Sequence, residues 1–130
     1  MGISNVKTSR DLSSAIYYFS NNAHNGHAER YISSRFANCT EKGCIQQTKA
    51  IREYFGKENN VHGLTFVFSF SDKEIGLDEL DKQERMMDSL LDVLKERYGN
   101  RQIGLFAQTD GTGQKFHIHA FVNSPDLETG

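Results

Sequence analysis

The chain has 130 residues, 37% of them hydrophobic and 25% charged, with a formal net charge of −2. That length suits one domain, taken here as residues 1–130, able to bury a core without staples. The composition is that of a soluble globular protein. No apolar run approaches the ~20 residues of a membrane span, and the opening MGISNVKTSRDLSS has neither a secretory leader's apolar core nor a myristoylation pattern.

Residues 1–60 carry 8 Lys/Arg against 5 Asp/Glu, and residues 61–130 carry 7 against 12. A nucleic-acid site in this chain therefore needs a local basic surface rather than a global field. Cys39 and Cys44 form no CxxC pair and read as reduced thiols of a cytoplasmic protein.

In chain order, ISNVK (3–7) reads as a short strand. A helix over about 9–21 follows, capped by Thr8 or Ser9, with Leu12, Ala15, Ile16 and Phe19 at helical spacing. NNAHNGH (21–27) is turn-rich, and RYISSRFANC (30–39) alternates as a strand. Residues 43–55 predict a second helix with Ile45, Thr48, Ile51 and Phe55 on one side. HGLTFVFSF (62–70) is a strand rich in aromatic and β-branched residues. Residues 77–99 predict a long helix whose stripe is Leu77, Leu80, Met87, Leu90, Leu91, Leu94 and Tyr98, stopped by Gly99. RQIGLFAQT (101–109) and KFHIHAFVN (115–123) read as two strands joined by a turn at DGTGQ (110–114). The order β-α-β-α-β-α-β-β gives an α+β fold, with a central, largely antiparallel sheet of about five strands and helices packed on one face.

The last strand carries the chemistry. Residues two apart on a strand share a face, so His117 and His119 project together while Phe116, Ile118 and Ala120 turn the other way. Two imidazoles so spaced can chelate one divalent ion, although the same pattern also arises on sheet faces with no ligand. Gln108 or Asp110, on the preceding strand or at its end, can bring an oxygen beside the pair; each also reads as an ordinary strand-end or turn residue. An ion there suits phosphoryl transfer, because it stabilises the charge that develops on phosphate oxygens. There is no nucleophile elbow, P-loop or GxGxxG. Tyrosines at 17, 18, 31, 54 and 98 remain as nucleophiles able to hold a phosphodiester as phosphotyrosine. Tyr17 and Tyr18 sit about 100° apart on their helix, and helical reasoning does not choose between them.

Three stretches resemble the relaxases, the Mob-type members of the HUH endonucleases: DLSSAIYYFSNN, HGLTFVFSFSDKE and QTDGTGQKFHIHAFVNS. They are similar to the family's tyrosine helix, its Ser-Phe strand motif, and its His-x-Asp segment leading into a His-hydrophobe-His strand with a terminal Asn. No tyrosine follows Tyr98, so any nucleophile precedes the histidine pair, which is the relaxase order.

The resemblance implies a two-layer HUH-type sandwich. It also implies a site- and strand-specific nuclease that nicks and rejoins single-stranded DNA at an origin of transfer, assisted by accessory relaxosome proteins. Tyr18 corresponds to the nucleophile, with Tyr17 as runner-up. His117 and His119 correspond to metal ligands, and Asp110 to an acidic residue that orients a ligand or accepts a proton. Gln108 stands where relatives have a third histidine; its amide oxygen shifts the preference towards Mg²⁺ or Mn²⁺. Ser69 corresponds to a residue near the DNA backbone, and Lys7, Arg10, Arg35 and Lys115 are candidate phosphate contacts. The chain ends eleven residues after His119, where relaxase domains run on, so a truncated domain is expected. The rival reading is a non-enzymatic nucleic-acid-binding domain on the same fold with a degenerate metal site.

Overall fold

The computed structural model describes residues 4–20, 31–108 and 115–130. In order, the elements are β1 (Ser4–Ser9), α1 (Leu12–Ser20), β2 (Tyr31–Ala37), α2 (Cys44–Tyr54), β3 (Gly63–Ser69), α3 (Leu80–Tyr98), β4 (Ile103–Gln108) and β5 (His117–Asn123). The strands form one sheet in the order β1-β3-β5-β4-β2, and every neighbouring pair is antiparallel. The α+β class, the five strands and their pairing sense are as the sequence predicts. The expected turn at 110–114 and the loop at 21–27 lie outside the described residues.

The helices divide between the two faces instead of sharing one. Ile118, Ala120 and Val122 of β5, Phe66 and Phe68 of β3, and Ile103, Leu105 and Ala107 of β4 pack against Met87, Leu90 and Leu94 of α3. On the opposite face, Phe106 and Phe121 pack against Leu12, Ile16 and Phe19 of α1 and Cys44 of α2. β4 explains the split. All six of its residues are buried, so both its sides require a cover. Gly104 permits the second cover, because a Cβ there would overlap the Phe121 ring and crowd Phe36. No helix among the described residues is long and apolar enough to cross a membrane.

Three helix boundaries and stripes differ from the sequence pattern, each for a local reason. α1 is capped by Asp11, not Thr8 or Ser9: Ser14 N–H donates to Asp11 Oδ1 at 3.1 Å and its hydroxyl to Oδ2 at 2.8 Å, bonds that hold the Asp11 carboxyl below its ordinary pKa. α3 begins at Leu80. Before it, Gly76 N–H donates to Glu79 Oε1, and the buried Gln83 donates to the carbonyls of Gly76 and Leu77. That polar turn takes the place of the first helical turn and leaves Leu77 and Leu80 exposed. On α2 the buried stripe is Cys44, Thr48 and Arg52. Its usual i, i+4 geometry is carried by polar side chains, which an apolar count passes over.

Candidate active site

β5 lies between β3 and β4, and its alternation sends His117, His119 and Phe121 to the face shared with α1. The rings of His117 and His119 are 5.0 Å apart and nearly perpendicular, at 86°. Their backs are fixed by Ile118 and Ala120, both fully buried against the α3 side. His119 stacks on Phe19 at 4.7 Å with the planes 16° apart. An aromatic at the end of α1 thus lies flat on the second histidine.

Gln108 faces His117 directly across the β4–β5 ladder. Its Nε2 donates to the Phe19 carbonyl at 2.6 Å, which turns Oε1 towards His117 Nε2 at 3.2 Å. The other ring nitrogen of His117, Nδ1, lies 3.1 Å from the Lys115 carbonyl. With its hydrogen on Nδ1, His117 donates to that carbonyl and turns the Nε2 lone pair towards the Gln108 oxygen. In that tautomer the Nε2 lone pair and the Gln108 oxygen converge as two ligands of one ion do; with the hydrogen on Nε2 instead, His117 donates to the Gln108 oxygen. An imidazole oriented by a backbone carbonyl through its far nitrogen is also the usual posture of a metal-ligating histidine. The donor set therefore fits a divalent ion. Among the described residues no three His, Cys, Asp or Glu side chains gather, and Asp110 lies outside them.

The two candidate tyrosines differ in position. Leu12, Ala15, Ile16 and Phe19 set the inward direction of α1, from which Tyr18 departs by about 110° and Tyr17 by about 150°. Their exposures follow this, at 45% for Tyr18 and 61% for Tyr17. Tyr18 also makes an edge contact with Phe19, the residue seated on His119.

Of the remaining candidates, Ser69 is brought to the site: it is exposed and sits opposite His117 on β3. Lys115 precedes β5 at the same end. Lys7 is exposed on the same face but pairs with Thr65, which in turn pairs with Phe121, so it lies towards the middle of the sheet. Arg10 follows Ser9, which pairs with Gly63 beside Asn123. It lies at the far end of β5, roughly 20 Å of strand from His117. Arg35 is on the opposite face, bonded to Glu84 and, at 2.8 Å, to Asp88 of α3. Its alternation within β2 pairs it with Leu105, whose side chain belongs to the α3 core. Arg35 is thus not part of this constellation.

Sequence reasoning missed a buried polar cluster at the other end of β5. Arg52 is fully buried and donates to Asn123 Oδ1 at 3.0 Å, Glu58 Oε2 at 2.8 Å and Ser13 Oγ at 3.3 Å. Asn123 Nδ2 donates to the Thr48 carbonyl and to Gln102 Oε1. His62 Nδ1 accepts the Leu12 N–H at 3.1 Å, and its Nε2 donates to the Glu58 carbonyl at 2.7 Å. The available signal was the spacing of Arg52 four residues after Thr48, in line with Cys44. The two cysteines stand apart from all this. Both are free, and burial, helped by the neighbouring Cys44, pushes the Cys39 thiol up to about 12.

Comparison with known proteins bears on the same residues. Residues 18–130 match the family described as relaxase, MobA/VirD2-like, nuclease domain. A curated relative, Protein rlx of Staphylococcus aureus, is 28% identical over 89 residues, covering 68% of this chain and 25% of its own length. The chain thus spans about a quarter of the relative it matches. No solved structure matches it. With most of its length inside that match, and with the histidine pair and the end of α1 meeting on one sheet face, the chain belongs to the MobA/VirD2-like relaxase nuclease domains.

Proposed function

We propose that this domain nicks and rejoins single-stranded DNA at an origin of transfer, with Tyr18 as the nucleophile. The observation that carries this reading is the double attachment of Phe19, whose ring lies on His119 and whose carbonyl accepts from Gln108. Through it the helix bearing the tyrosine is fastened to the strand bearing the histidines. Tyr18, nearer the site side of α1 than Tyr17, is the nucleophile; it is also the first residue of the family match.

In the reaction, the Tyr18 phenol gives up its proton and its oxygen attacks the scissile phosphorus. The bond from phosphorus to the 3′ oxygen breaks, and that oxygen leaves with a proton as a free hydroxyl. The DNA remains joined by its 5′ phosphate to Tyr18. Because one phosphoester has replaced another, the 3′ hydroxyl can reverse the step and reseal the strand. His117, His119 and the Gln108 oxygen would hold a divalent ion, Mn²⁺ or Mg²⁺, which supplies stabilisation of the charge developing on the phosphate oxygens. Asp110 is the acidic group that orients a ligand or takes the phenol proton. Ser69, opposite His117, and Lys115 contact the DNA backbone, and Lys7 extends that track towards the β1 edge.

The test is incubation with a labelled pool of random-sequence single-stranded DNA and Mn²⁺, followed by a denaturing gel. A covalent adduct mapped by mass to Tyr18 supports the reading, and sequencing the attached strands gives the nick site. An adduct that persists in Tyr18→Phe removes Tyr18 from the role. The non-enzymatic reading draws on Gln108, whose amide is already engaged by Phe19 and His117. It requires equal DNA retention with EDTA and no nicking at all.

A further inference from the structure

We propose that Arg52 is a positioning residue: together with His62 it fixes the register of α1 on β5, and so holds Tyr18 in place relative to the histidine pair. The inference rests on the nicking reading above and adds to it the means by which the nucleophile is held in position.

α1 has nine residues, too few to hold a position by its own helical stability. Its apolar stripe of Leu12, Ala15, Ile16 and Phe19 sets which side of the helix turns inward, but apolar packing has no direction of its own and leaves smaller turns and slides of the helix to be fixed by other contacts. Rotation matters here because the Tyr18 phenol stands off the helix surface and swings with it. A turn through the roughly 100° between the two tyrosines would bring Leu12, Ile16 and Phe19 out of the core, whereas one of a few tens of degrees already carries the Tyr18 phenol away from the histidines.

The polar contacts of α1 resist that turn at both ends. At the C-terminal end Gln108 holds the Phe19 carbonyl. At the N-terminal end two side chains from other elements take hold. His62, just ahead of β3, accepts the Leu12 N–H, one of the donors that a helix start leaves without a helical partner. Arg52 of α2 reaches Ser13 Oγ with one nitrogen while another binds Asn123 at the end of β5. Glu58 joins the two holders, its carboxylate accepting from Arg52 and its carbonyl from His62. The strand that ends at Asn123 is the one that carries His117 and His119, so a single guanidinium ties the tyrosine helix to the histidine strand.

The choice of residue argues for this role over mere filling. A fully buried guanidinium loses its hydration, and apolar side chains of similar volume commonly serve stability as well or better. What arginine adds is a rigid fork of donors whose directions specify where the acceptors must be. Three acceptors on three segments, Ser13, Glu58 and Asn123, use that fork.

The experiment uses the 130-residue chain with Ser13→Ala, Arg52→Lys and Arg52→Gln. Hydrogen exchange is measured on α1 and α3. Adduct formation on the DNA pool is measured under single-turnover conditions across DNA concentrations, and each adduct is mapped to Tyr17 or Tyr18. In Arg52→Gln, α1 amides exchange faster while α3 amides do not. The saturating rate falls about tenfold or more, as misplacement of a reacting group does. The half-saturating DNA concentration is unchanged, and the adduct stays on Tyr18. Arg52→Lys, which keeps the charge but loses the fork, recovers only part of the rate. Ser13→Ala removes a single bond and shifts the same readouts in the same direction to a smaller extent.

A folded Arg52→Gln protein with wild-type α1 exchange and wild-type rate overturns the proposal. So does Ser13→Ala with unchanged α1 exchange should the arginine variants fail to fold. If the wild-type chain forms no adduct, the nicking reading fails by itself, and the exchange data still decide whether Arg52 holds α1.

Discussion

The two faces of the sheet are built on different principles. Under α3, the strands present Phe66, Phe68, Leu105, Ile118, Ala120 and Val122, and the helix answers with Met87, Leu90 and Leu94. Burial there is apolar and without direction, and each large side chain contributes about 1.5–3 kcal/mol. Under α1 and α2, a smaller apolar cluster around Phe106 and Phe121 is bounded at one end by His117, His119 and Gln108 and at the other by Arg52, Asn123 and His62. Contacts on that side are directional, and each has a specific partner. One face supplies stability that survives approximate packing; the other supplies an arrangement that does not.

Substitutions on the two faces separate in graded steps. The largest effect is on chemistry: Tyr18→Phe abolishes the covalent adduct on a denaturing gel while leaving the melting temperature and DNA binding in place. Next, His117→Ala or His119→Ala weakens Mn²⁺ binding, read by calorimetry, by more than the roughly 10–100-fold that an outer-shell partner is worth. Retained Mn²⁺ affinity in both would move the metal elsewhere.

On the other face, Leu94→Ala or Met87→Ala lowers stability by about 2–5 kcal/mol in urea unfolding. Adduct formation by the folded fraction is unaffected; a selective loss of activity would show that the two faces are not separable. The smallest effect belongs to Arg35→Met, which costs at most about 1 kcal/mol because its ion pairs are partly exposed. The salt dependence of DNA binding stays the same in this variant, whereas a phosphate contact would lower its slope by about one. The Arg35 pair also has a pH signature. Its hydrogen bond holds the Glu84 carboxyl below the ordinary glutamate value. The stabilisation is therefore present above the unfolded glutamate value, about 4.3, and is lost as pH falls through the lower folded one. The wild-type advantage over Arg35→Met should disappear there.

What the sequence disclosed follows the same division. Period-two alternation in HIHAFVN was enough to put both histidines on one side and Ile118 and Ala120 on the other, because a strand allows no other arrangement. The Leu-rich stretch at 87–94 identified the inward face of α3 for the corresponding helical reason. Leu77 and Leu80 misled because hydrophobicity alone does not reveal the Gly76–Glu79–Gln83 turn that displaces them. Arg52 was invisible because a charged residue is ordinarily read as solvated, and its partners lie as far away in sequence as Asn123. Arg35 was misjudged for a related reason. Its β2 position was clear, but which side of that strand faces α3 depends on the pairing with β4, a long-range fact. The choice of Tyr18 over Tyr17 rested on family resemblance; the burial of Leu12, Ile16 and Phe19 places Tyr18 nearer the inward side of α1 than Tyr17.

The place of β5 in the sheet has a consequence for assembly. It is the last strand in sequence among the five, yet it occupies the centre. Until it arrives, β1 with β3 and β2 with β4 are two separate ribbons sharing no ladder. A nascent chain halted before residue 117 therefore has neither a continuous sheet nor the histidine pair. The keystone that closes the architecture also carries the two histidines, so an incompletely synthesised copy lacks the joined sheet and the pair together.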